Sequence, residues 1–155
     1  MDVVATVTVP SSAEDLFSYV CDLSNYPSWL DLVHTASREM TDISADNSHD
    51  GKNAGVWIVE LRARLGLFAR SKRLRMTRTI CEAPTLVVFE RTEIDARRHS
   101  AWVLRANVVA TESGATLEAH LHYSGNLFTG GVLERALADQ IEAGREKLIK
   151  QLSAK

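Results

Sequence analysis

From Leu127 to Leu152 the chain returns to an apolar residue or glycine every three or four positions, at Leu133, Leu137, Ile141, Gly144, Leu148 and Leu152. That spacing predicts one long amphipathic α-helix with a single buried stripe. Glu134, Arg135, Asp139, Glu142, Arg145, Glu146 and Lys150 fill the other side, with Arg135/Asp139 and Glu146/Lys150 at the i,i+4 separation of helical charge pairs. Gly130 and Gly131 permit unusual backbone angles ahead of the stripe, where Asn126 or Thr129 can cap the free amides. Gly144 lies on the stripe itself, where glycine weakens a helix by about 1 kcal/mol relative to alanine. Its missing side chain suits either close packing against a strand or space for a ligand. A stripe of this length must lie on something, and the upstream chain reads as a sheet built to close around it.

Val3, Ala5, Val7 and Val9 alternate with Val4, Thr6 and Thr8, the period of a strand with one buried face, and Pro10 stops it. A short helix follows, capped by Ser11 or Ser12, with Glu14 and Asp15 at its positive end and Leu16, Phe17, Val20 and Cys21 inward. Asn25-Tyr26-Pro27-Ser28-Trp29-Leu30 predicts a second short helix with Tyr26, Trp29 and Leu30 beneath the sheet. Thr35 to Ile43 reads as a weak strand and Asp42 to Asn53 as a polar loop. Five strand-like runs follow: Val56 to Leu65, Arg70 to Cys81, Leu86 to Glu93, Ala101 to Ala110 and Ala115 to Tyr123. Gly66, Ala83-Pro84, the polar run from Asp95 to His99, and Glu112-Ser113-Gly114 separate them. Adjacent strands joined by short turns predict a curved antiparallel sheet of seven strands, an α+β domain with two short helices after the first strand and one long C-terminal helix. A sheet that curls around one helix has an inside, and a pocket between the two is expected there.

The length of 155 residues, 45% of them hydrophobic, suits a single domain over 1–155 with a substantial core. A formal charge of −2 turns attention from nucleic acid, which is not an expected partner, to local patches. The start of the chain reads as a strand and not as a signal peptide, and no apolar run approaches a membrane span, so a cytoplasmic protein is expected. Cys21 and Cys81 stand apart from any CxxC or Cys/His cluster and are expected to be buried free thiols.

Val9-Pro10-Ser11-Ser12-Ala13, Leu16-Phe17, Val20, Asp22 and Tyr26-Pro27-Ser28-Trp29 resemble the opening of the START-like, Bet v 1-like helix-grip superfamily. Gly114-Ala115-Thr116-Leu117 and Gly125 ahead of the terminal helix extend the resemblance over nearly the whole chain. Members of that superfamily include polyketide cyclases and dehydratases, lipid and quinone carriers and hormone receptors. The resemblance implies the helix-grip fold and a hydrophobic cavity; no cyclase-specific motif carries a catalytic residue over.

With the bulkier residues of each strand turned inward, Trp57, Val59, Leu61, Leu74, Met76, Phe89, Trp102, Leu104, Leu121 and Tyr123 face the stripe. Together with Leu133, Leu137 and Ile141 they form the expected wall for an apolar ligand, although each also suits ordinary core packing. Trp102 and Tyr123 join a large apolar body to a polar tip that can orient a ligand oxygen. Glu118, His120 and His122 share one strand face and have a spacing that zinc can use. The apolar partners Leu117, Ala119, Leu121 and Tyr123 turn them to solvent, and neither a metal nor a cofactor is expected. Arg62, Arg64, Arg70, Lys72, Arg73 and Arg75 form an unbroken basic hairpin with the apolar tip Leu65-Gly66-Leu67-Phe68, which suits a solvated surface or contact with an anionic surface or acidic protein.

Proton chemistry would fall to Glu90, Arg91, Arg78, Arg105 or Tyr123, if their strand faces point inward. GxSxG, Ser/His/Asp order, phosphate-loop and HExxH motifs are missing, which removes the commonest motif-bearing hydrolase, kinase and metalloprotease readings. Three functions remain: carriage of a small hydrophobic molecule such as a lipid, isoprenoid or polyketide-like compound, a polyketide cyclase or dehydratase activity, and partner binding through the basic hairpin.

Overall fold

The alternation near the N-terminus becomes β1 (Asp2–Val9), with Val3, Val7 and Val9 buried and Val4, Thr6 and Thr8 exposed. The computed structural model describes residues 2–39, 55–65, 68–125 and 132–153, and the side chains of 63–70 and 132–133 lie outside that description. After Pro10, Ser12 opens α1 (Ala13–Val20) by accepting the Asp15 amide at 3.2 Å, one of the donors that a helix start leaves unsatisfied. Asp22 caps a 3-10 helix, Leu23–Ser28, by accepting the Ser24 amide at 2.9 Å. Tyr26, Trp29 and Leu30 are all buried.

Six strands follow: β2 (Val33–Arg38), β3 (Val56–Leu65), β4 (Phe68–Glu82), β5 (Leu86–Arg91), β6 (Trp102–Thr111) and β7 (Gly114–Tyr123). With β1 they form one seven-stranded antiparallel sheet in the order β1-β7-β6-β5-β4-β3-β2, a curved half-barrel. β1 leaves sequence order to pair with β7, Val3 opposite Leu121 and Val9 opposite Ala115. This is the α+β helix-grip fold, and its grip is on α2 (Val132–Ser153).

Leu137, Ile141, Leu148 and Leu152 of α2 are buried, and the charged residues opposite them are exposed. Arg145 donates to the Thr8 carbonyl at 2.9 Å, and Gln140 accepts from the Leu32 amide, so the helix is tied both to β1 and to the segment after the 3-10 helix. Gly144 explains itself here: a Cβ on it would collide with the Trp29 carbonyl. The close approach is to backbone beyond the 3-10 helix, where the sequence pointed to a strand or a ligand. The i,i+4 charge pairs do not form; Glu146 instead accepts from Arg145 at 3.1 Å and Lys147 reaches Asp31 at 3.2 Å. Among the described residues, no helix is long and apolar enough to cross a membrane.

Several local features differ from the sequence reading. Cys21 and Cys81 are free thiols but only partly buried. β2 begins at Val33, two residues before the expected Thr35, because Val33 is already buried and paired with Leu61; residues 40–54, which include the expected loop, lie outside the described residues. β5 stops at Arg91 where Glu93 was expected. Thr92 still donates to the Arg75 carbonyl at 2.9 Å, but the Arg75 amide is taken by the Glu93 carboxylate at 3.2 Å, which ends the ladder. In β4 the register shifts between Arg78 and Ile80, so Met76 and Arg78 face inward before the bulge and Cys81, opposite Val87, faces inward after it. Ile80 is thereby turned out and is 38% exposed.

Val87 and Phe89 point inward, which decides the two open strand faces: Arg91 shares the inner face, opposite Met76, while Glu90 and Arg105 face outward. His120 and His122 also lie on the outer face and contact the Asp2 carboxylate at 3.1 and 2.9 Å. Those hydrogen bonds, His122 first, hold the Asp2 carboxyl below the usual range. Among the described residues no group of three or more His, Cys, Asp and Glu is arranged to hold a metal ion.

Candidate functional site

Between the concave face and α2 lies a cavity whose lining, among the described residues, is only apolar and aromatic. Its floor comes from the strands: Val59 and Leu61 of β3, Leu74 and Met76 of β4, Trp102, Leu104 and Ala106 of β6, and Leu117, Ala119 and Leu121 of β7. Leu137 and Ile141 of α2 close one side, and Leu23, Tyr26, Trp29, Leu30, Leu32 and Val33 close another. Space exists where Ala106 pairs with Ala119, between the larger pairs Leu104/Leu121 and Val108/Leu117. Two short side chains facing each other leave the interior unfilled, since neighbouring strands hold the larger side chains apart.

The cavity measures about 80 Å³, against the roughly 300–1,000 Å³ of pockets that enclose a drug-sized ligand. The pocket expected between sheet and helix is therefore present but small. Tyr26, Trp29 and Trp102 occupy much of the volume that a curved sheet alone would have left, which the strand pattern does not reveal.

Of the expected wall, Val59, Leu61, Leu74, Met76, Trp102, Leu104, Leu121, Leu137 and Ile141 line the cavity. Trp57, Phe89 and Tyr123 face inward but do not line it. Trp57 packs edge-on to Phe89 at 5.5 Å, and Tyr123 packs against Trp102 at 4.4 Å. The Leu133 side chain lies outside the described residues. The wall that sequence reasoning missed comes mainly from the segment around the 3-10 helix and from Ala106 and Ala119. The cluster Tyr26-Pro27-Ser28-Trp29-Leu30 was the available signal, because two aromatics and a leucine in so short a stretch must be covered.

Hydrogen bonding divides the interior tryptophans. Trp57 donates from Nε1 to Asp22 Oδ1 at 3.1 Å and Ser24 Oγ at 3.0 Å. The buried Nε1 atoms of Trp29 and Trp102 have no hydrogen-bond partner among the described residues. Among the described residues Tyr26 is the ionisable one lining the cavity; it donates to the Val20 carbonyl at 2.9 Å, and burial pushes its phenol far up, so it stays protonated.

None of the proton-transfer candidates lines the cavity. Arg78 faces inward but donates to the Cys21 carbonyl at 2.9 Å and sits over the Trp57 ring at 5.6 Å. Arg91 lies on the inner rim, held by Glu93 at 2.8 Å, by the carbonyl and hydroxyl of Ser100, both at 3.2 Å, and by His99 Nδ1 at 3.2 Å. Glu90 and Arg105 are on the outer face, and Tyr123 is buried against Trp102.

The basic hairpin divides between the two faces. Arg75 faces outward, donating to Glu39 at 2.9 Å and to the Thr92 carbonyl at 2.8 Å, and Arg62 pairs with Glu60 at 3.1 Å. Arg73 is exposed, whereas Lys72 pairs across the ladder with Leu61 and so shares the inner face. Leu67 lies outside the described residues, as do the side chains of Arg64, Phe68 and Arg70. A larger cleft of about 370 Å³ adjoins the rim, lined by Glu39, Arg73, Arg75, Arg91, Glu93, Asp95 and His99 among others. It is open and charged, and Arg75 and Arg91 within it are already paired with Glu39 and Glu93.

Solved structures repeat this architecture. A START superfamily protein from Mycobacterium smegmatis is 17% identical, with a TM-score of 0.67 over 99% of this chain and 97% of that one. A protein from Thermus thermophilus is 12% identical, with a TM-score of 0.70 over 99% and 98%. The di-domain ARO/CYC StfQ from the steffimycin biosynthetic pathway is 13% identical, with a TM-score of 0.59; 99% of this chain matches but only 50% of that one. At these identities the likeness is one of fold. No curated protein matches the chain. A family model described as polyketide cyclase / dehydrase and lipid transport matches residues 1–153, and the chain belongs to that family.

Proposed function

We propose that the chain binds a small hydrophobic molecule between the concave face of the sheet and α2, and that it holds or carries this molecule without transforming it. The observation that carries this reading is the chemistry of the cavity wall: every lining side chain among the described residues is apolar or aromatic, and Glu90, Arg91, Arg78, Arg105 and Tyr123 all stand outside it. A cyclase or dehydratase needs a proton donor or acceptor within hydrogen-bond reach of its substrate. Tyr26, the lining residue with a titratable group, has its hydroxyl committed to the Val20 carbonyl. Burial of apolar surface stabilises such a complex by about 25 cal/mol per Å², so even a short hydrocarbon chain gains usefully. The small volume favours a slender ligand over a fused-ring one.

Titration with straight-chain alcohols from butanol to decanol, followed by tryptophan emission, tests the reading, since Trp29 and Trp102 border the cavity. Saturable binding that strengthens with chain length and then levels off is expected. Ala106→Leu, which fills the gap between the strands, should abolish it. Unsaturable responses, or unchanged binding by Ala106→Leu with the fold intact, would overturn the proposal.

A further inference from the structure

The rim of the cavity carries a cation that no described carboxylate pairs with. Lys72 stands opposite Leu61 in the β3–β4 ladder, and Arg91 stands opposite Met76 in the β4–β5 ladder. Leu61 and Met76 both line the cavity. Directly opposed residues in an antiparallel pair project to the same face, so both cations share the concave face with these two lining residues and stand next to them across the ladder. Arg91 is satisfied: its side chain is 8% exposed and is held by Glu93, Ser100 and His99. Glu93 is committed in turn, accepting from Arg91 Nε at 2.8 Å and from the Arg75 amide at 3.2 Å. Lys72 has neither hydrogen bond nor ion pair among the described residues. Burial and then the like charge of Arg91 make its ammonium easier to deprotonate, with Glu93 opposing them only in part.

We infer that the bound molecule carries one anionic head, a carboxylate or a phosphate, placed at the rim against Lys72, with its hydrocarbon tail in the cavity. The inference rests on the hydrophobic-ligand reading and adds the polar end of the ligand. The cavity wall, among the described residues, has no charged group to receive such a head, so the head stays at the rim. Among the described residues Lys72 is the rim cation without a counter-ion, and Arg91, one strand away, adds positive potential without being free to bind.

The experiment compares decanoate, decyl phosphate and 1-decanol, titrated into the wild-type chain and into Lys72→Gln and Lys72→Arg, read by tryptophan emission and by calorimetry. A charge-assisted contact should make the anions bind roughly tenfold more tightly than decanol. Lys72→Gln should erase that gap while leaving decanol binding unchanged, and Lys72→Arg should keep it. Whichever of the two anions binds more tightly identifies the head. Equal binding of anions and alcohol, or a gap that survives Lys72→Gln, would overturn the inference and leave the hydrophobic-ligand reading standing. If none of the three compounds saturates, that reading fails and this inference fails with it. Equal thermal midpoints for the three proteins will show that the fold is not the cause of any change.

Discussion

Two parts of the concave interior are built from the same kind of residue and treat it differently. In one, Trp57 is fully buried, its indole N–H shared between Asp22 and Ser24, its ring against Phe89 and within reach of the guanidinium groups of Arg38 and Arg78. In the other, Trp29 and Trp102 are just as buried, but their N–H groups have no partner among the described residues and their rings border a cavity. An unsatisfied buried donor costs about 1–3 kcal/mol. The first part is thus a packed anchor joining the 3-10 helix to the sheet. The second tolerates both unfilled volume and unmet hydrogen bonds, which is where a fold can accept a guest.

The comparison predicts its own breaking points. Trp57→Phe and Trp102→Phe remove the same atoms, so their difference reports the hydrogen bonds of Trp57 together with its contacts to Arg38 and Arg78. Trp57→Phe should destabilise by about 3 kcal/mol and Trp102→Phe by roughly half of that or less, measured by urea unfolding. Equal losses would mean that the two tryptophan environments do not differ in the way described. A smaller effect is expected at Gly144, which lets α2 touch the Trp29 carbonyl. Alanine gains about 1 kcal/mol of helix propensity but forces backbone apart, and overpacking of this kind costs about 1–3 kcal/mol. Gly144→Ala should therefore lower stability by about 1 kcal/mol and shift the Trp29 emission; a gain in stability would show that the helix is not pressed against this wall.

The smallest effect concerns the rim. Burial pushes the Glu93 carboxyl up, but the Arg91 hydrogen bond, the Arg75 amide and the charges of Arg91 and His99 outweigh it and hold the group below its ordinary value of 4.5. A lowered carboxylate stabilises the fold fully above its unfolded value and loses that contribution as pH falls through the folded one. Urea midpoints of the wild type should therefore drop below about pH 4.5 more steeply than those of Glu93→Gln. Parallel curves would mean that the rim is not held together by this carboxylate.

Much of the anchor was legible in the chain and much of the cavity was not. Alternation in β3, β6 and β7 identified Trp57, Leu61, Trp102 and Leu104 as inward-facing, and the stripe of α2 identified Leu137 and Ile141. Nothing local distinguishes Trp57 from Trp102, because the distinguishing partners, Asp22 and Ser24, come from a different part of the chain. The bulge after Arg78 was equally hidden: it reverses which residues of β4 face inward, and it becomes visible only when β4 and β5 are paired.

What the sequence determined alone is the order of elements and the apolar side of each, since both follow from periodicity, which is a property of neighbouring residues. Tertiary structure alone decided how much space remains inside, which tryptophan finds a partner, and that Lys72 and Arg91 share the concave face of the sheet. Those are outcomes of register and close packing between distant segments, and a volume left over among packed side chains is a small difference that no single stretch of chain encodes.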